Sequence, residues 1–537
     1  MKKVLAIVLT LTLLLGASAV WAEDAGNPLL QPLIDAAKQL PRSENLYFEN
    51  GLQISGMGIH FNNYPKEFDG CYYWPAIEAL TGARIEIDWR VEDNYATQVA
   101  TTLASRKLPD IMVAGAYGVM NLVGEGAIVP LDDYIELMPD IVAAVGEDRM
   151  ANWRQADGHI YTIPTIVNVP GSQTVMVRQD WLDALNMQAP TNWDEWVALW
   201  RAIKENDLNG NGDTTDEIPL ALEQGANGER CMASLLNAFG IRASSDCQFC
   251  VLDDGTYTLV YEHPRYKEFL QAVRDLYAEG LIDPEFVTRA QAELFTAMDS
   301  GLVGTCMTWA ERARISTTTL RESGDADALW TCTIPITGPY GDCMTQERNA
   351  VSSVWCITSA AAEAGKVEDI VRLFNWNFTE EGKDLYNYGI EGVSYDRVDG
   401  EAVLKPEMVA NGFVDYRAAG CEYEPFGGEW QTSAFMQCLF AGQSVDDLDD
   451  ASASFYNGLA IVNDGYFYAM PQTLETEAYT EYRAELITTG VCTLRDQCIA
   501  GQLTVDAFFA KYEELKKQGL QDVIDEGTAA YALLSGK

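Results

Sequence analysis

Basic residues and histidines are scarce in this 537-residue chain, and their scarcity excludes several kinds of partner. The chain has 36 lysines and arginines against 80 aspartates and glutamates, which gives a formal net charge of −44. A field of that sign opposes binding to nucleic acid, anionic membranes and polyanionic glycans. The three histidines, His60, His159 and His263, are far apart and only one Cys-x-x-Cys is present, so no zinc cluster is expected.

Long apolar runs are missing beyond the N-terminus. There, two lysines precede the apolar run Val4–Leu15 and a set of small residues, a pattern typical of a secretory signal peptide over residues 1–22, with cleavage after Ala22 or Ala19. No other segment is apolar for long enough to cross a bilayer. We therefore expect an exported protein, extracellular or periplasmic, at the outer face of the cell membrane. No cysteine closely follows the apolar run, so the attachment residue of a bacterial lipoprotein is not found there.

Local motifs of common enzymes are also missing. The mature region has no H-E-x-x-H, no P-loop and no G-x-S-x-G. The paired carboxylates of a glycoside hydrolase leave no local signature, because the separation that matters is spatial. A secreted glycoside hydrolase therefore remains an alternative, but no catalytic residue is predicted and we do not expect an enzyme.

All 12 cysteines follow the signal, where disulfides are permitted. The pairs that lie close in sequence are Cys247/Cys250, Cys332/Cys343, Cys421/Cys438 and Cys492/Cys498. Sequence alone does not give the connectivity, and buried free thiols are the alternative to bridges.

Alternating strand and helix patterns predict an α/β fold, and the chain is long enough for two or three lobes. The first part predicts strands at Leu52–Ile59, Arg84–Arg90 and Pro109–Val113, with helices at Cys71–Leu80 and Tyr95–Ser105. This order favours a parallel sheet with covering helices. Ligands of such sheets bind beyond the carboxyl ends of the strands, which here are His60–Asn62 and Gly115–Tyr117.

A helix rich in tryptophan is predicted from Trp193 to Ile203. Its apolar residues recur at steps of three and four, which places them on one face. Thr191 is the predicted N-cap, with Asp194 three residues later.

The loop after this helix has the spacing of a calcium site. Calcium takes six to eight oxygen ligands, and an EF-hand loop supplies them at positions one, three and five, with a glycine at six. The predicted ligands are Asp207, Asn209, Asn211, Asp213 through its carbonyl, Asp216 and Glu217. The last two carboxylates fall at positions ten and eleven instead of twelve, and a strand pattern follows, so the ion is expected to be structural. The alternative is a solvated turn of Asx and Gly residues without a metal.

Several segments in order along the mature chain carry a family resemblance. They are Val177–Asp183 with Pro190–Glu195, Asp207–Leu220, Leu276–Phe286, Asn387–Gly400 and Phe508–Ile524. Each is weak alone, but the ordered set resembles the bacterial extracellular solute-binding proteins that feed ABC carbohydrate importers. The nearest branch is that of large oligosaccharide binders containing calcium.

The resemblance implies a two-lobe, periplasmic-binding-protein-like α/β fold with a hinge and a helical C-terminal region. Residues 31–165 and 334–389 would form the first lobe, and residues 167–333 and 390–537 the second. The implied function is that of a monomer which captures a sugar or oligosaccharide between the lobes by hinge closure and delivers it to the transmembrane subunits of an ABC permease. A receptor that presents its ligand to a membrane sensor is a further alternative.

Aromatic rings that stack on sugar faces, and acids that bind sugar hydroxyls, are the expected ligand contacts. The candidates are Tyr117, Trp309 and Trp355 at predicted strand ends, and Glu391 and Tyr395 in the turn that carries the resemblance. Packing in the core is the alternative for each of them.

Overall fold

Two separate β-sheets organise the chain. The computed structural model describes residues 30–60, 72–91, 94–168, 173–222, 232–244, 246–346, 351–410, 426–431, 434, 436–437, 440, 443–463, 466–468 and 471–535, so the proposed signal peptide lies outside the described residues. The strands are β1 (Leu52–His60), β2 (Ala83–Val91), β3 (Ile111–Val113), β4 (Thr162–Asn168), β5 (Gln173–Arg178), β6 (Ile218–Ala221), β7 (Phe249–Val251), β8 (Tyr257–Leu259), β9 (Val303–Trp309), β10 (Trp330–Thr333), β11 (Thr345–Gln346), β12 (Val351–Ile357), β13 (Tyr395–Val398), β14 (Glu401–Leu404), β15 (Gly428–Gln431) and β16 (Phe467–Tyr468).

The first lobe is built on a six-stranded sheet in the order β15-β4-β12-β3-β1-β2. Strand β1 pairs in parallel with β2 and β3, as the sequence predicts, whereas β12 is antiparallel to both β3 and β4. The helices of this lobe are Leu30–Ala37, Tyr73–Thr81, Tyr95–Ser105, Val119–Gly124, Pro139–Val145, Met150–Trp153, Ser359–Glu363, Val367–Trp376, Glu380–Tyr388 and Pro406–Ala410. The predicted helix Tyr95–Ser105 is confirmed residue for residue.

The second lobe is built on the four-stranded sheet β10-β5-β9-β6. Its helices are Gln179–Leu185, Trp193–Lys204, Met232–Ala238, Tyr266–Ala278, Gln291–Asp299, Glu311–Glu322, Asp450–Asn463, Glu477–Tyr482, Thr493–Ile499, Val505–Leu515 and Gln521–Ser535, with π-helical turns at Arg483–Cys492 and Lys516–Leu520. No described helix has the length and apolar character needed to cross a membrane.

The helix Trp193–Lys204 forms where the sequence predicts it, but its cap is one residue later than predicted. The side chain of Asn192 accepts from the backbone N–H of Glu195 at 3.1 Å. Thr191 instead donates from both its N–H and its hydroxyl to the Glu195 carboxylate, each at 2.9 Å. The cap and the carboxylate together satisfy amide groups that a helix start leaves without partners.

The chain passes between the lobes three times, and the packing differs from the predicted division. It crosses from β4 to β5, from β10 to β12 and from β15 to the helix Asp450–Asn463. Ile336 packs in the core of the second lobe, while Tyr395 and Leu404 pack in the core of the first. The hairpin β13–β14 buries one face against the first lobe, which keeps the chain there beyond residue 389.

The candidate disulfides close in sequence are not formed among the described cysteines. Cys250, Cys332, Cys343 and Cys498 are free thiols, and the pair Cys421/Cys438 lies outside the described residues. Burial raises the pKa of Cys250 to about 12. A thiol with so high a pKa holds almost no thiolate at neutral pH and is unreactive in the folded protein.

One buried arginine connects the inner strand β5 with the turn before the edge strand β10 in the second sheet. Arg178, at the end of β5, is 1% exposed and makes a two-pronged contact with Asp180 at 2.8 and 2.5 Å. It also donates at 2.8 Å to Asp325, in the turn before β10. Because the buried guanidinium is not hydrated, its hydrogen bonds to the two carboxylates are what offset the cost of burying its charge.

We therefore expect Arg178→Ala to lower the free energy of unfolding by about 3 kcal/mol, the cost of breaking a buried ion pair. Arg84→Ala is the control, because its contact with Glu86 is exposed on both sides and should change stability by about 0.5 kcal/mol or less. Urea titration followed by tryptophan fluorescence measures both. Equal midpoints for the two variants would contradict the assignment.

Candidate functional site

A cavity of about 770 Å³ is lined mainly by the second lobe and by two residues of the first, and it is called here the interlobe cavity. The helix Met150–Trp153 of the first lobe contributes Ala151 and Asn152. The second lobe contributes Gly240, Arg242, Val251, Leu252, Asp253, Asp254, His263, Pro264, Arg265, Asp342, Pro471, Gln472, Leu474, Tyr531, Leu534 and Ser535. This volume is within the range of sites for small organic ligands.

Charged groups of both signs line the interlobe cavity. Arg265 donates to Asp342 at 2.6 Å, and its guanidinium lies 4.2 Å from the centre of the Tyr340 ring. Burial and the neighbouring Arg265 lower the pKa of His263, which favours the uncharged ring. Arg242 makes no ion pair with any described residue. The cavity thus has flat polar groups that donate and accept hydrogen bonds, and no dominant positive charge.

The chain segment from Pro471 to Thr476 forms one wall of this cavity and is tightly held. Tyr257 donates its hydroxyl to the carbonyl oxygen of Gln472 at 2.8 Å. The carboxylate of Asp246 accepts from the hydroxyls of Thr473 at 2.8 Å and Tyr479 at 3.2 Å. These bonds connect the segment to the core of the second lobe, so it moves with that lobe as one unit.

The same segment reaches the first lobe through Glu475. Its carboxylate accepts from the backbone N–H of Met120, at the start of the helix Val119–Gly124, at 3.4 Å. Gly118 lies beside it with φ +90°, and a Cβ on Gly118 would be 3.2 Å from the same carboxylate oxygen. A glycine therefore allows the two lobes to approach closely at this point.

Tyr117 and Trp309 lie at the carboxyl ends of strands β3 and β9, where the sequence predicts ligand contacts. Tyr117 is half-buried after β3 and directly precedes Gly118. Trp309 ends β9 opposite Gln173, beside the first crossing between the lobes. Neither residue lines the interlobe cavity, and their roles in ligand binding remain predictions.

The other three candidates lie in the first lobe. Trp355 is 0% exposed in β12 and packs edge-on to Phe426 with ring centres 5.9 Å apart. Tyr395 is 4% exposed and packs against Tyr388, and burial raises its pKa well above the usual value. Glu391 is exposed and lies 3.6 Å from Arg397. Neither aromatic ring has a free face for a sugar, so packing accounts for both.

Sequence reasoning missed the interlobe cavity because no local motif marks it. Its residues come from segments that are hundreds of positions apart, from Ala151 to Ser535. The one local signal is the Asp-Asp-Gly turn between β7 and β8, whose Asp254 accepts from the N–H of Thr256 at 2.9 Å. That pattern predicts a hairpin and gives no indication of what the hairpin faces.

The loop Asp207–Glu217 has two buried carboxylate oxygens without partners. Asp207 accepts from the N–H of Gly212 at 2.9 Å through Oδ2, while its Oδ1 is buried and unpaired. Glu217 is 7% exposed and accepts from the N–H of Leu208 at 2.9 Å through Oε1, while its Oε2 is buried and unpaired. Burying two unpaired carboxylate oxygens costs free energy unless a cation or a hydrogen-bond donor contacts them. Both residues are among the predicted calcium ligands.

The remaining predicted ligands bond to one another. The amides of Asn209 and Asn211 donate to the two oxygens of Asp216, at 3.2 and 2.6 Å. The hydroxyl and N–H of Thr215 both donate to Asp213 and lower the pKa of that carboxyl. Within the described ranges, no three acid, histidine or cysteine side chains converge as a metal site. In this arrangement the two oxygens of Asp216 are occupied by the amides and not by a cation.

Comparison with known proteins identifies relatives of this chain. The family model of bacterial extracellular solute-binding proteins matches residues 72–240. The fructooligosaccharide ABC transporter substrate-binding protein FusA of Streptococcus pneumoniae serotype 4 is 31% identical over 236 residues, which is 41% of this chain and 43% of that protein. The matched part is thus less than half the length of this relative.

Solved structures share the fold over most of the chain. The alginate-binding protein AlgQ2, in a crystal structure without calcium ion, has a TM-score of 0.70 and 22% identity, covering 91% of this chain and all of that one. An EF-hand mutant of S. pneumoniae FusA in complex with fructo-nystose has a TM-score of 0.66 and 20% identity, covering 90% and 99%. The resemblance to extracellular solute-binding proteins and the two-lobe α/β fold are thereby confirmed.

The contact of Glu475 with Met120 predicts a shift in lobe separation. Glu475→Gln keeps the shape of the side chain but removes the charge that strengthens the bond to the amide. We expect the balance between close and separated lobes to move by about 0.5 to 1 kcal/mol, or two- to fivefold, since the contact is partly exposed. Distances between spin labels on the two lobes measure it.

Glu477→Gln is the matched control, because this exposed acid directly follows the segment, as the first residue of the helix Glu477–Tyr482, and makes no ion pair with the described residues. Identical distance distributions in both variants and the parent protein would show that the contact does not influence lobe separation.

Proposed function

We propose that this chain, which resembles the extracellular solute-binding proteins in sequence and fold, is the capture component of an ABC importer for oligosaccharides. The observation that carries the proposal is the interlobe cavity, which has the volume of a small-ligand site and is bounded by both lobes. Its flat polar side chains and its tyrosine match the hydroxyls and apolar faces of a sugar.

Hinge closure is the proposed mechanism. Three crossings connect the lobes, so a rotation about them changes the distance between Asn152 and the wall at Gln472 without unfolding either sheet. A ligand that contacts both sides binds the closed form better and shifts the population toward it by that difference in affinity. Moving the equilibrium from 1:99 to 99:1 requires about 5.5 kcal/mol of preference, which several hydrogen bonds and a stacked ring supply together.

The closed form is proposed to dock as a monomer on the transmembrane subunits of an ABC permease, outside the cell membrane. The net charge of −44 favours a partner face that carries basic residues. Export through the predicted signal peptide, and retention at the surface without a lipid-bearing cysteine, belong to the same proposal.

Hydrolysis is not favoured by the acids of the interlobe cavity. A glycosidase needs one carboxyl group with a raised pKa to protonate the leaving oxygen. Hydrogen bonds from Thr256 lower the pKa of Asp254, and Asp342 is held by Arg265. Neither of these two groups is arranged as a general acid, and for the third aspartate of the lining, Asp253, no contact favours that role, so capture without chemistry is the better account.

The test of this function is isothermal titration with a panel of tri- to pentasaccharides, combined with chromatography of the mixture afterwards. We expect micromolar or tighter binding of at least one sugar, a reduction in the radius of gyration by X-ray scattering, and recovery of the sugar uncut. Cleaved sugar would favour the hydrolase. Binding with no change in radius would remove the hinge mechanism.

Calcium is proposed as a structural ion of the loop Asp207–Glu217. The support is the pair of unpartnered buried oxygens on Asp207 and Glu217, together with the spacing of oxygen-bearing residues. When bound, the ion would neutralise these carboxylates and stabilise the start of β6. At 100 times its dissociation constant it would add about 2.7 kcal/mol to the stability of the folded state.

We therefore expect a chelator to lower the melting temperature by several degrees and Asp207→Ala to remove most of that response. Glu322→Ala, an exposed acid of the same lobe, should respond to the chelator like the parent protein. Differential scanning calorimetry with and without added calcium makes the measurement. A melting curve unaffected by chelation in the parent protein would refute the site.

A further inference from the structure

Three aromatic rings form a stack that ends in the interlobe cavity. Phe249 and Tyr257 stack with ring centres 5.0 Å apart at an angle of 13°, and Tyr257 and Tyr531 follow at 5.1 Å and 15°. The inner two rings are each 1% exposed, whereas Tyr531 is half-buried and lines the cavity. No other described ring stacks on Tyr531.

The central ring of the stack, Tyr257, is held in place by hydrogen bonds. The Tyr257 hydroxyl donates to Gln472 and accepts from the N–H of Leu474 at 3.3 Å, so the central ring is fixed to the wall of the cavity. A ring supported in this way loses little freedom when a ligand covers it, which makes it a suitable platform. Tyr531 packs on the core of the second lobe through the face that stacks on Tyr257, and it is also a lining residue of the cavity.

The polar lining is suited to neutral hydroxyls. The amide oxygen Oε1 of Gln472 is buried without a partner, and Arg242 has no ion partner among the described residues. Asn152 offers an amide from the opposite lobe. Flat groups that donate or accept two hydrogen bonds match adjacent hydroxyls of a sugar ring.

The charge of the lining is negative in sum. Arg265 is paired with Asp342, which leaves Arg242 as the cation of the lining against the two carboxylates of Asp253 and Asp254. An acidic sugar would gain from Arg242 but be repelled by the two aspartates and by the net charge of −44 on the whole chain.

We propose that the interlobe cavity is a subsite for an uncharged sugar ring that stacks on Tyr531, and that the chain selects neutral oligosaccharides over uronate oligosaccharides. This inference rests on the proposed capture function and adds the ligand class and the residue that recognises it. It separates this chain from its structural neighbour that binds alginate, although the two share a fold.

The test is calorimetric titration of the full mature chain with two sets of probes. The neutral set contains trisaccharides to pentasaccharides of glucose, galactose, mannose and fructose. The acidic set contains trigalacturonate and trimannuronate at the same concentrations. We expect binding within the neutral set only, with the acidic probes at least 100-fold weaker. Tighter binding of an acidic probe overturns the charge argument.

Variants of the platform test the residue itself with the best neutral probe. Tyr531→Ala should weaken binding by about three- to tenfold, the usual strength of a stacked ring, while Tyr531→Phe should retain it. Tyr47→Ala, a partly exposed tyrosine of the first lobe under Arg42, is the control and should bind like the parent. Unchanged affinity in Tyr531→Ala overturns the subsite.

Two further variants cover the case in which Tyr531→Ala does not fold, and a failure of all probes tests the capture function itself. If Tyr531→Ala does not fold, Tyr531→Leu keeps an apolar side chain without the flat face, and Asn152→Ala removes a contact from the other lobe without touching the stack. Each should weaken binding of the same probe. If no probe of either set binds the parent protein, the capture function itself fails, whereas binding that ignores all these variants refutes only the subsite.

Discussion

The insertion of β12 between β3 and β4 is the constraint on which the architecture depends. This strand arrives after the whole second sheet has been built, and it hydrogen-bonds antiparallel to both neighbours in the centre of the first sheet. The first lobe is incomplete until β12 is in place, so the two lobes cannot fold as fully independent units in series. The same insertion creates the second crossing between them, and with the first and third crossings it limits relative motion to rotation about a few backbone segments.

The segment from Pro471 to Thr476 extends from the cavity to the point where the two lobes are in contact. Gln472 lines the cavity, and Glu475, three residues after it, accepts a hydrogen bond from the backbone N–H of Met120 in the first lobe. Tyr257 fixes this segment through its hydroxyl and supports Tyr531 through its ring. The group proposed to recognise the ligand and the group that contacts the first lobe are therefore held by one buried tyrosine. A ligand seated on the stack would act on the same rigid unit that determines how closely the lobes approach.

The fold does not determine whether the ligand is neutral or acidic. The fold is shared with proteins whose described ligands are neutral in one case and acidic in another, fructo-nystose and alginate. On the proposal made above, the choice between such ligands would depend on a few charges in the cavity and on the net charge of the chain, because Coulomb terms are strongest where water is partly excluded. Arg265 is already paired with Asp342, so one of the two cations of the lining is neutralised within the protein.

The sequence by itself determined the local elements and the family resemblance. The periodicity of Tyr95–Ser105, the alternation in β2 and the oxygen spacing of Asp207–Glu217 are properties of neighbours within a few residues, so they can be read without the fold. The tertiary structure decided what those elements face. It placed Trp355 in the core, kept the hairpin β13–β14 on the first lobe and assembled the interlobe cavity from Asn152, Gln472 and Tyr531. The physical reason is that burial and cavity formation depend on which distant segments come together, and that is fixed by strand pairing and core packing and not by local spacing.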